Sequence, residues 1–247
     1  MARRATRIAQ ERKQGGFVLL LDAGDSLVGD QDPARKTQGL TSVAAMNLMG
    51  YDAMALGPQD LALGPAVLQQ RIAEAQFAVL SANAVVSATG KLAATPFVLR
   101  EVDGLQVALV GISGGDGTDE IVVRDPLETA RSIAAEVAGK ADVVIVLSHA
   151  GESVDRQIAD AVPGIALIVS GGPLVMPSPW RSEKTGTLVV HADEAQPGHA
   201  GRVMGLATLA LDPRSGLVKQ DWQRVAIVDS IAEDAAMAAW VQQQLSR

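Results

Sequence analysis

The 247-residue chain contains no cysteine and only three histidines, His149, His191 and His199. Without cysteine it can form no disulfide bond, no thiolate nucleophile and no zinc–thiolate site. No apolar run approaches the roughly 18 residues that a membrane-spanning helix requires, so we expect no membrane span. The net charge of −7 argues against binding to a nucleic-acid polymer, because the binding face of such proteins is usually basic.

The composition is that of a folded protein, with 48% hydrophobic and 20% charged residues. Short apolar runs alternate with amphipathic segments in the earlier part of the chain. Later segments alternate apolar and polar residues, as half-buried antiparallel strands do. No linker rich in proline or serine divides the sequence. The pattern predicts an α/β fold with mixed sheets and one domain over residues 1–247.

The chain is organised around five consecutive apolar residues, Phe17–Leu21, which are followed by Asp22 and Asp25. We interpret this run as a strand buried on both faces. It delivers carboxylates at its carboxyl end, where open α/β sheets bind ligands. Gly24 allows a sharp turn beside Asp25, which makes Asp25 the first candidate site residue. The spacing fits equally well with two aspartates that only cap the next segment.

Other segments predict the elements around this strand. A helix over Ala2–Lys13 precedes it, and we interpret its Lys and Arg residues as a solvated face. An Asp103-Gly104 turn predicts a two-residue β-hairpin. The predicted hairpin strands and the buried strands with polar ends are Phe97–Val102, Leu105–Ile112, Asp142–Leu147 before Ser148-His149, and Ile165–Val169 before Ser170.

Three stretches carry a resemblance: LLLDAGDSLVGD, NLMGYDAMALG followed by AVLSAN, and VVIVLSHAGESVDRQIADAVPGIALIVSGG. They resemble the metallophosphatase domain of the 5′-nucleotidase family within the calcineurin-like metallophosphoesterases, and the resemblance covers nearly the whole chain. It implies a four-layer α/β/β/α sandwich with mixed sheets and a two-metal site at the carboxyl ends of the strands. It also implies hydrolysis of nucleotide phosphate esters by two divalent ions about 3.5–4 Å apart, which activate water and clamp the phosphate.

Only two positions match metal ligands of that family. Asp25 corresponds to the aspartate that bridges the two metals, and His149 corresponds to the histidine of the Ser-His-x-Gly motif. The family's first motif, Asp-x-His on an N-terminal strand, has no counterpart, because Met1 begins at the helix after that strand. The other site positions carry replacements: Pro58 for an asparagine ligand, Gln59 for the catalytic histidine, Ala62 for the aspartate that orients it, and Pro173 and Val175 for two histidines.

Two ligands cannot hold two metals, so we expect no cofactor; the alternative is a single weakly bound Mn, Zn or Mg ion at Asp25 and His149. His191 and His199 fall where the family has no ligand, and we interpret His191 as a structural histidine. The departures fall in site motifs, whereas scaffold residues such as Asn83 are kept. This pattern favours a non-catalytic scaffold or subunit of an assembly. A residual metal-dependent phosphoesterase and a nucleotide sensor are the other two hypotheses.

The missing first strand is a second departure from the family. Its absence would leave the backbone groups of the neighbouring strand unpaired. We therefore expect an upstream segment, another chain or a rearranged segment to cover the N-terminal sheet region. The family's C-terminal nucleotide-binding domain is expected to be absent after Arg247, which weakens the sensor hypothesis. No signal peptide follows Met1, so the sequence suggests the cytoplasm, although family members are commonly exported.

Overall fold

A computed structural model describes residues 1–28, 32–172, 178–192, 201–212 and 216–246. Its helices are α1 (Ala2–Lys13), α2 (Asp32–Lys36), α3 (Leu40–Met49), α4 (Pro58–Leu61), α5 (Gly64–Glu74), α6 (Pro126–Val137), α7 (Glu152–Ala161) and α8 (Ala235–Leu245). Its strands are β1 (Leu21–Asp22), β2 (Ala53–Ala55), β3 (Ala78–Leu80), β4 (Ala84–Val86), β5 (Phe97–Val102), β6 (Leu105–Ile112), β7 (Ile121–Val123), β8 (Val143–Ser148), β9 (Leu167–Ser170), β10 (Trp180–Arg181), β11 (Leu188–Val190), β12 (Val203–Asp212) and β13 (Gly216–Ala226). None of these helices is long and apolar enough to cross a membrane.

The strands form two main sheets and two separate pairs. β1, β2 and β3 make a parallel three-stranded sheet in that order. The second sheet has the order β10-β11-β9-β8-β6-β5, in which β11, β9, β8 and β6 run parallel. Its outer strands β10 and β5 are antiparallel to their neighbours. β12 pairs with β13, and β4 pairs with β7, both in antiparallel fashion.

Three apolar cores separate four layers. The first core lies between the three-stranded sheet and helices α1, α3, α5 and α8, and it contains Met54. The second core fills the space between the two main sheets and contains Ala53, Ala55 and Leu109. The third core lies between the six-stranded sheet and helices α6 and α7, and it contains Ala108. Because successive strand residues face opposite sides, β2 and β6 each supply two cores. This arrangement is the predicted α/β/β/α sandwich, which is confirmed.

The strand predicted over Phe17–Leu21 is wrong in both extent and burial. β1 comprises only Leu21–Asp22, and the Phe17 side chain is 65% exposed. The physical reason is that β1 has a single strand neighbour, β2, among the described residues. Within the part of the chain that the structure describes, its other edge therefore has no partner strand of the kind that buries a central strand on both faces. By contrast, α1 has the predicted bounds, and β5 and β6 flank the predicted turn.

Candidate functional site

Asp25 and His149 meet at the carboxyl ends of two strands. Asp25 follows β1, His149 follows β8, and the His149 Nε2 atom lies 3.1 Å from Asp25 Oδ2. The His149 Nδ1 atom lies 2.8 Å from the carbonyl oxygen of Ala23. Burial lowers the pKa of the imidazole, but the hydrogen bond and charge of Asp25, with the Ala23 carbonyl, outweigh it and raise that pKa above its usual value. In the protonated form, the ring donates one hydrogen bond from each nitrogen.

The backbone turns sharply at Gly24 and Asp25, which allows Asp25 to contact His149. Asp25 has a φ of 61°, in the left-handed region that aspartate tolerates better than most residues. Gly24 has a φ of 105°, and a Cβ atom there would lie 2.9 Å from the Gly57 nitrogen and 3.0 Å from His149 Nδ1. The turn predicted at Gly24 therefore also permits a close approach that no larger residue allows.

Asp22 has the capping role that was one of the two interpretations of the Asp22 and Asp25 spacing. Its carboxylate accepts hydrogen bonds from the Gly24 N–H at 2.9 Å and from the Ser26 hydroxyl at 2.8 Å. Such local bonds stabilise a turn. One aspartate of the pair therefore fixes the loop after β1, while Asp25 faces His149.

The positions that replace ligands of the family contribute little side-chain chemistry. Pro58 and Gln59 begin the short helix α4, and both are exposed, as is Ala62. Gln59 contacts the site through its backbone, because its N–H donates to Asp25 Oδ1 at 2.8 Å. Proline suits this first helical position, where no N–H donor is needed. The other two replacements, Pro173 and Val175, lie outside the described residues, as does His199.

Asp60 is a site residue that sequence reasoning missed. It is completely buried, and its carboxylate accepts from the N–H groups of Asp25 at 2.8 Å, Gly57 at 3.0 Å and Leu27 at 3.0 Å. Burial raises the pKa of Asp60 to about 7, and the charge of Asp25 adds to this, although the three N–H donors favour the charged form. One signal could have identified it: an acidic residue at the third position of a helix commonly binds back to the residue before that helix.

A second buried carboxylate, Asp155 of α7, joins two strand ends beside His149. It accepts from the Ser148 hydroxyl at the end of β8, at 2.5 Å, and from the Ser170 hydroxyl at the end of β9. Burial raises the pKa of Asp155 to about 6, against the opposing effects of the two hydroxyls and of His149. Asp155 therefore holds the backbone that positions His149.

His191 is also buried. Its Nε2 atom lies 3.2 Å from the Gly172 carbonyl oxygen, and its backbone N–H donates to the Ser178 hydroxyl oxygen at 2.9 Å. Gly172 is itself close to His149, since a Cβ atom on Gly172 would lie 3.6 Å from His149 Nε2. The interpretation of His191 as a structural histidine stays a prediction.

The donor atoms around Asp25 do not fit a two-metal centre. Asp25 and His149 supply the two ligand atoms that the resemblance identifies, whereas Asp22, Asp60 and Asp155 accept hydrogen bonds from protein groups. Within the described ranges, no group of three or more His, Cys, Asp or Glu side chains could hold a metal ion. A dinuclear centre needs several such ligands from different strand ends. No catalytic step through a metal pair follows from these residues.

The raised pKa of Asp155 predicts a pH-dependent stability. Between about pH 4 and pH 6 the folded state keeps a proton that the unfolded state loses, so this stabilising contribution is full at low pH and is lost as pH rises through about 6. Asp155→Asn has no such titration. We expect Asp155→Asn to be more destabilising at pH 4.5 than at pH 7.5, by about 2 kcal/mol. Urea unfolding of both proteins at the two pH values measures this difference.

Asp160→Asn is the matched control for this experiment. Asp160 has a pKa held below its usual range by the Ser182 hydroxyl and Lys184, so both measurements are made above the pH at which it titrates. The cost of Asp160→Asn should therefore be the same at pH 4.5 and pH 7.5. If Asp155→Asn behaved in the same way, Asp155 would be charged in the folded protein throughout this range.

The chain has relatives among known phosphoesterases. No protein-family model matches it. It is 30% identical over 270 residues to the trifunctional nucleotide phosphoesterase protein YfkN of Bacillus subtilis, a match that covers 92% of this chain and 18% of YfkN. It is 34% identical over 185 residues to a 5′-nucleotidase of Vibrio cholerae, a match that covers 66% of this chain and 32% of that protein.

A solved structure is similar over nearly the whole chain. The crystal structure of a 5′-nucleotidase precursor from Thermus thermophilus has a TM-score of 0.87 and 26% sequence identity, and the match covers 99% of this chain and 52% of that chain. The chain thus spans about half of this solved relative and a third or less of the two curated relatives.

Proposed function

The chain belongs to the calcineurin-like metallophosphoesterase superfamily that includes the 5′-nucleotidases, and we propose that it is a non-catalytic member that serves as a scaffold or subunit of an assembly. The proposal is supported by one observation: the side-chain atoms at the site that could bind a metal already bond to other protein groups. Asp25 and His149 pair with each other, and the buried carboxylate of Asp60 accepts hydrogen bonds from three backbone N–H groups. The replacements Pro58 and Gln59 place no imidazole or carboxylate beside them.

The second candidate function is a residual metal-dependent phosphoesterase that hydrolyses nucleotide phosphate esters. The observation that favours it is the named activity of the relatives, which are a nucleotide phosphoesterase and 5′-nucleotidases. The contact between Asp25 and His149 also leaves two donor atoms side by side, where one Mn, Zn or Mg ion could bind weakly. One ion with two protein ligands lacks the second metal that clamps the leaving oxygen in the two-metal mechanism.

We predict that the purified chain hydrolyses neither nitrophenyl phosphate nor AMP when Mn, Zn or Mg is added. Turnover near the ~10 s⁻¹ of a typical enzyme would overturn the proposal. Elemental analysis should find less than one metal equivalent after dialysis, and EDTA should leave the Tm unchanged, because a tightly bound ion would stabilise the folded state by linkage. A measured content of one equivalent or more would point to the second candidate.

The double variant Asp25→Asn/His149→Gln is the control for this assay. It removes the charge of Asp25 and the imidazole of His149 and keeps side chains of similar size. Any weak hydrolysis that survives in the double variant comes from a contaminating enzyme. Activity that disappears in it would belong to this site and would establish the residual phosphoesterase.

The assembly part of the proposal rests on the N-terminal sheet region. β1 has one strand neighbour among the described residues, and Phe17 before it is 65% exposed. The β12–β13 hairpin pairs only with itself among the same residues, although Leu19, Leu21, Ala207 and Leu209 all pack against the second core. Open edges with apolar side chains invite pairing with another strand. A partner chain or a second copy that covers Phe17–Leu21 would satisfy both features.

Phe17→Ser should weaken this assembly at least tenfold, because it removes the most exposed aromatic side chain of the region. Light scattering after gel filtration, or co-purification from the native source, measures the effect. Hydrogen exchange should show Val18–Leu21 protected in the assembly and weakly protected in the isolated chain. Val122→Ser, which changes a 52% exposed residue of β7, is the matched control. A stable dilute monomer with slow exchange at Val18–Leu21 would contradict the proposal.

A further inference from the structure

A groove with a volume of about 390 Å³ opens between α5 and the edges of the two main sheets. β3 is the outer strand of one sheet and β5 is the outer strand of the other, and the chain segments meet at a single bridge between Leu80 and Thr95. Beyond that bridge the two edges separate. The groove is lined by apolar and polar side chains that include Ile72, Phe77, Val79, Thr95, Val98 and Arg100.

Arg100 adds a positive charge to this groove, whose other lining side chains are mostly apolar. Its guanidinium forms no ion pair within the described residues, and its one hydrogen bond there goes to the Leu99 carbonyl oxygen at 3.3 Å. The nearest acid along α5, Glu74, is paired with Arg71. No carboxylate among the described residues therefore forms an ion pair with Arg100, although the whole chain carries a net charge of −7.

The backbone of β3 adds a polar group to the same groove. The Ala78 N–H donates to the Asp52 carbonyl oxygen, and the Leu80 carbonyl oxygen accepts from the Leu56 N–H, so both residues face β2. In a parallel ladder, alternate residues direct their backbone groups to opposite sides. The C=O group of Val79 faces Thr95 at the bridge, so the Val79 N–H is the backbone group that points toward the open edge, beside the apolar side chain of Phe77.

We propose that this groove binds a small organic monocarboxylate with an apolar body. Its volume lies in the range of small-molecule sites, which are mostly apolar with a few placed polar groups. The planar guanidinium of Arg100 matches a carboxylate in bidentate geometry. One guanidinium in a net-negative protein balances one negative charge, so a monocarboxylate fits better than a phosphate dianion. The groove shares no residue with the Asp25 site, and the inference is independent of the function proposed for that site.

The test uses 3-phenylpropionate as the probe and follows backbone amide shifts of the full chain by NMR. We expect saturable binding with a Kd on the order of 1 mM, as for a fragment of this size, with the largest shifts at Phe77, Val79 and Arg100. Arg100→Gln should weaken binding at least about tenfold, because a charge-assisted hydrogen bond is lost. Lys91→Gln removes the same charge from an exposed position outside the groove and should leave the Kd unchanged.

Two further probes, the neutral 3-phenylpropanol and the dianion phenyl phosphate, test whether the carboxylate or general apolar contact determines binding. Both should bind at least about tenfold more weakly than 3-phenylpropionate. The absence of saturable shifts at about 20 mM probe would overturn the proposal. Equal binding of the alcohol, or equal effects of Arg100→Gln and Lys91→Gln, would also overturn it, because Arg100 would then have no specific role. Tighter binding of phenyl phosphate would replace the proposed ligand class.

Discussion

Asp60→Ala should lower the free energy of unfolding by about 3–5 kcal/mol, because it leaves three buried backbone N–H groups without an acceptor. These groups belong to Asp25, Leu27 and Gly57, so the Asp60 carboxylate fixes the loop after β1 against the start of α4. A loss of this size is a large part of the roughly 5–15 kcal/mol that stabilises a typical domain. Urea unfolding monitored by circular dichroism measures it.

Two further variants make the Asp60 experiment specific. Asp60→Asn keeps one acceptor oxygen but turns donor hydrogens toward the backbone N–H groups, so its cost should fall between wild type and Asp60→Ala. Asp119→Ala removes a carboxylate from an exposed position and should change the unfolding free energy by less than about 0.5 kcal/mol. A cost below about 1 kcal/mol for Asp60→Ala would mean that water replaces the carboxylate as acceptor.

The fold was predictable where local sequence signals agree with it. The helix Ala2–Lys13 and the hairpin around Asp103-Gly104 depend on nearby residues, and both have the predicted bounds. The buried strand over Phe17–Leu21 was not predictable from its own residues, because burial depends on how many strands flank it. An apolar run shows that a strand is possible, but its neighbours decide whether it is central or an edge.

The site was predictable only in part, for a related reason. The resemblance identifies Asp25 and His149, and the two side chains are in contact. Asp60 and Asp155 were missed because their roles arise from partners 33 and 35 residues away, or from serines at two different strand ends. Asn83, a residue the family scaffold keeps, has a comparable long-range role, since its side chain bonds the backbone of Ser113 and Arg124. A local spacing can indicate the bond from Asp60 back to Gly57, but it does not encode these long-range pairings.

Gly111→Ala should destabilise the protein by about 3 kcal/mol or more, because an added methyl group overpacks the contact between the two main sheets. Gly111 and Leu109 lie on the same face of β6, and this face is turned toward the second core. A Cβ atom there would collide with the carbonyl group and the Cβ atom of Leu80 in β3. The φ of Gly111 is not in the left-handed region, so backbone strain does not contribute. The whole effect should therefore come from forcing the sheets apart.

Gly139→Ala provides the matched glycine control. A Cβ atom at Gly139 would meet nothing within 4 Å, but the residue has a φ of 74°, so alanine there should cost about 1 kcal/mol of backbone strain. Urea unfolding should thus rank Gly111→Ala well below Gly139→Ala in stability. The reverse order would mean that β3 can move away from β6 at little cost. The groove between β3 and β5 would then widen, and the affinity for 3-phenylpropionate should change in the same variant.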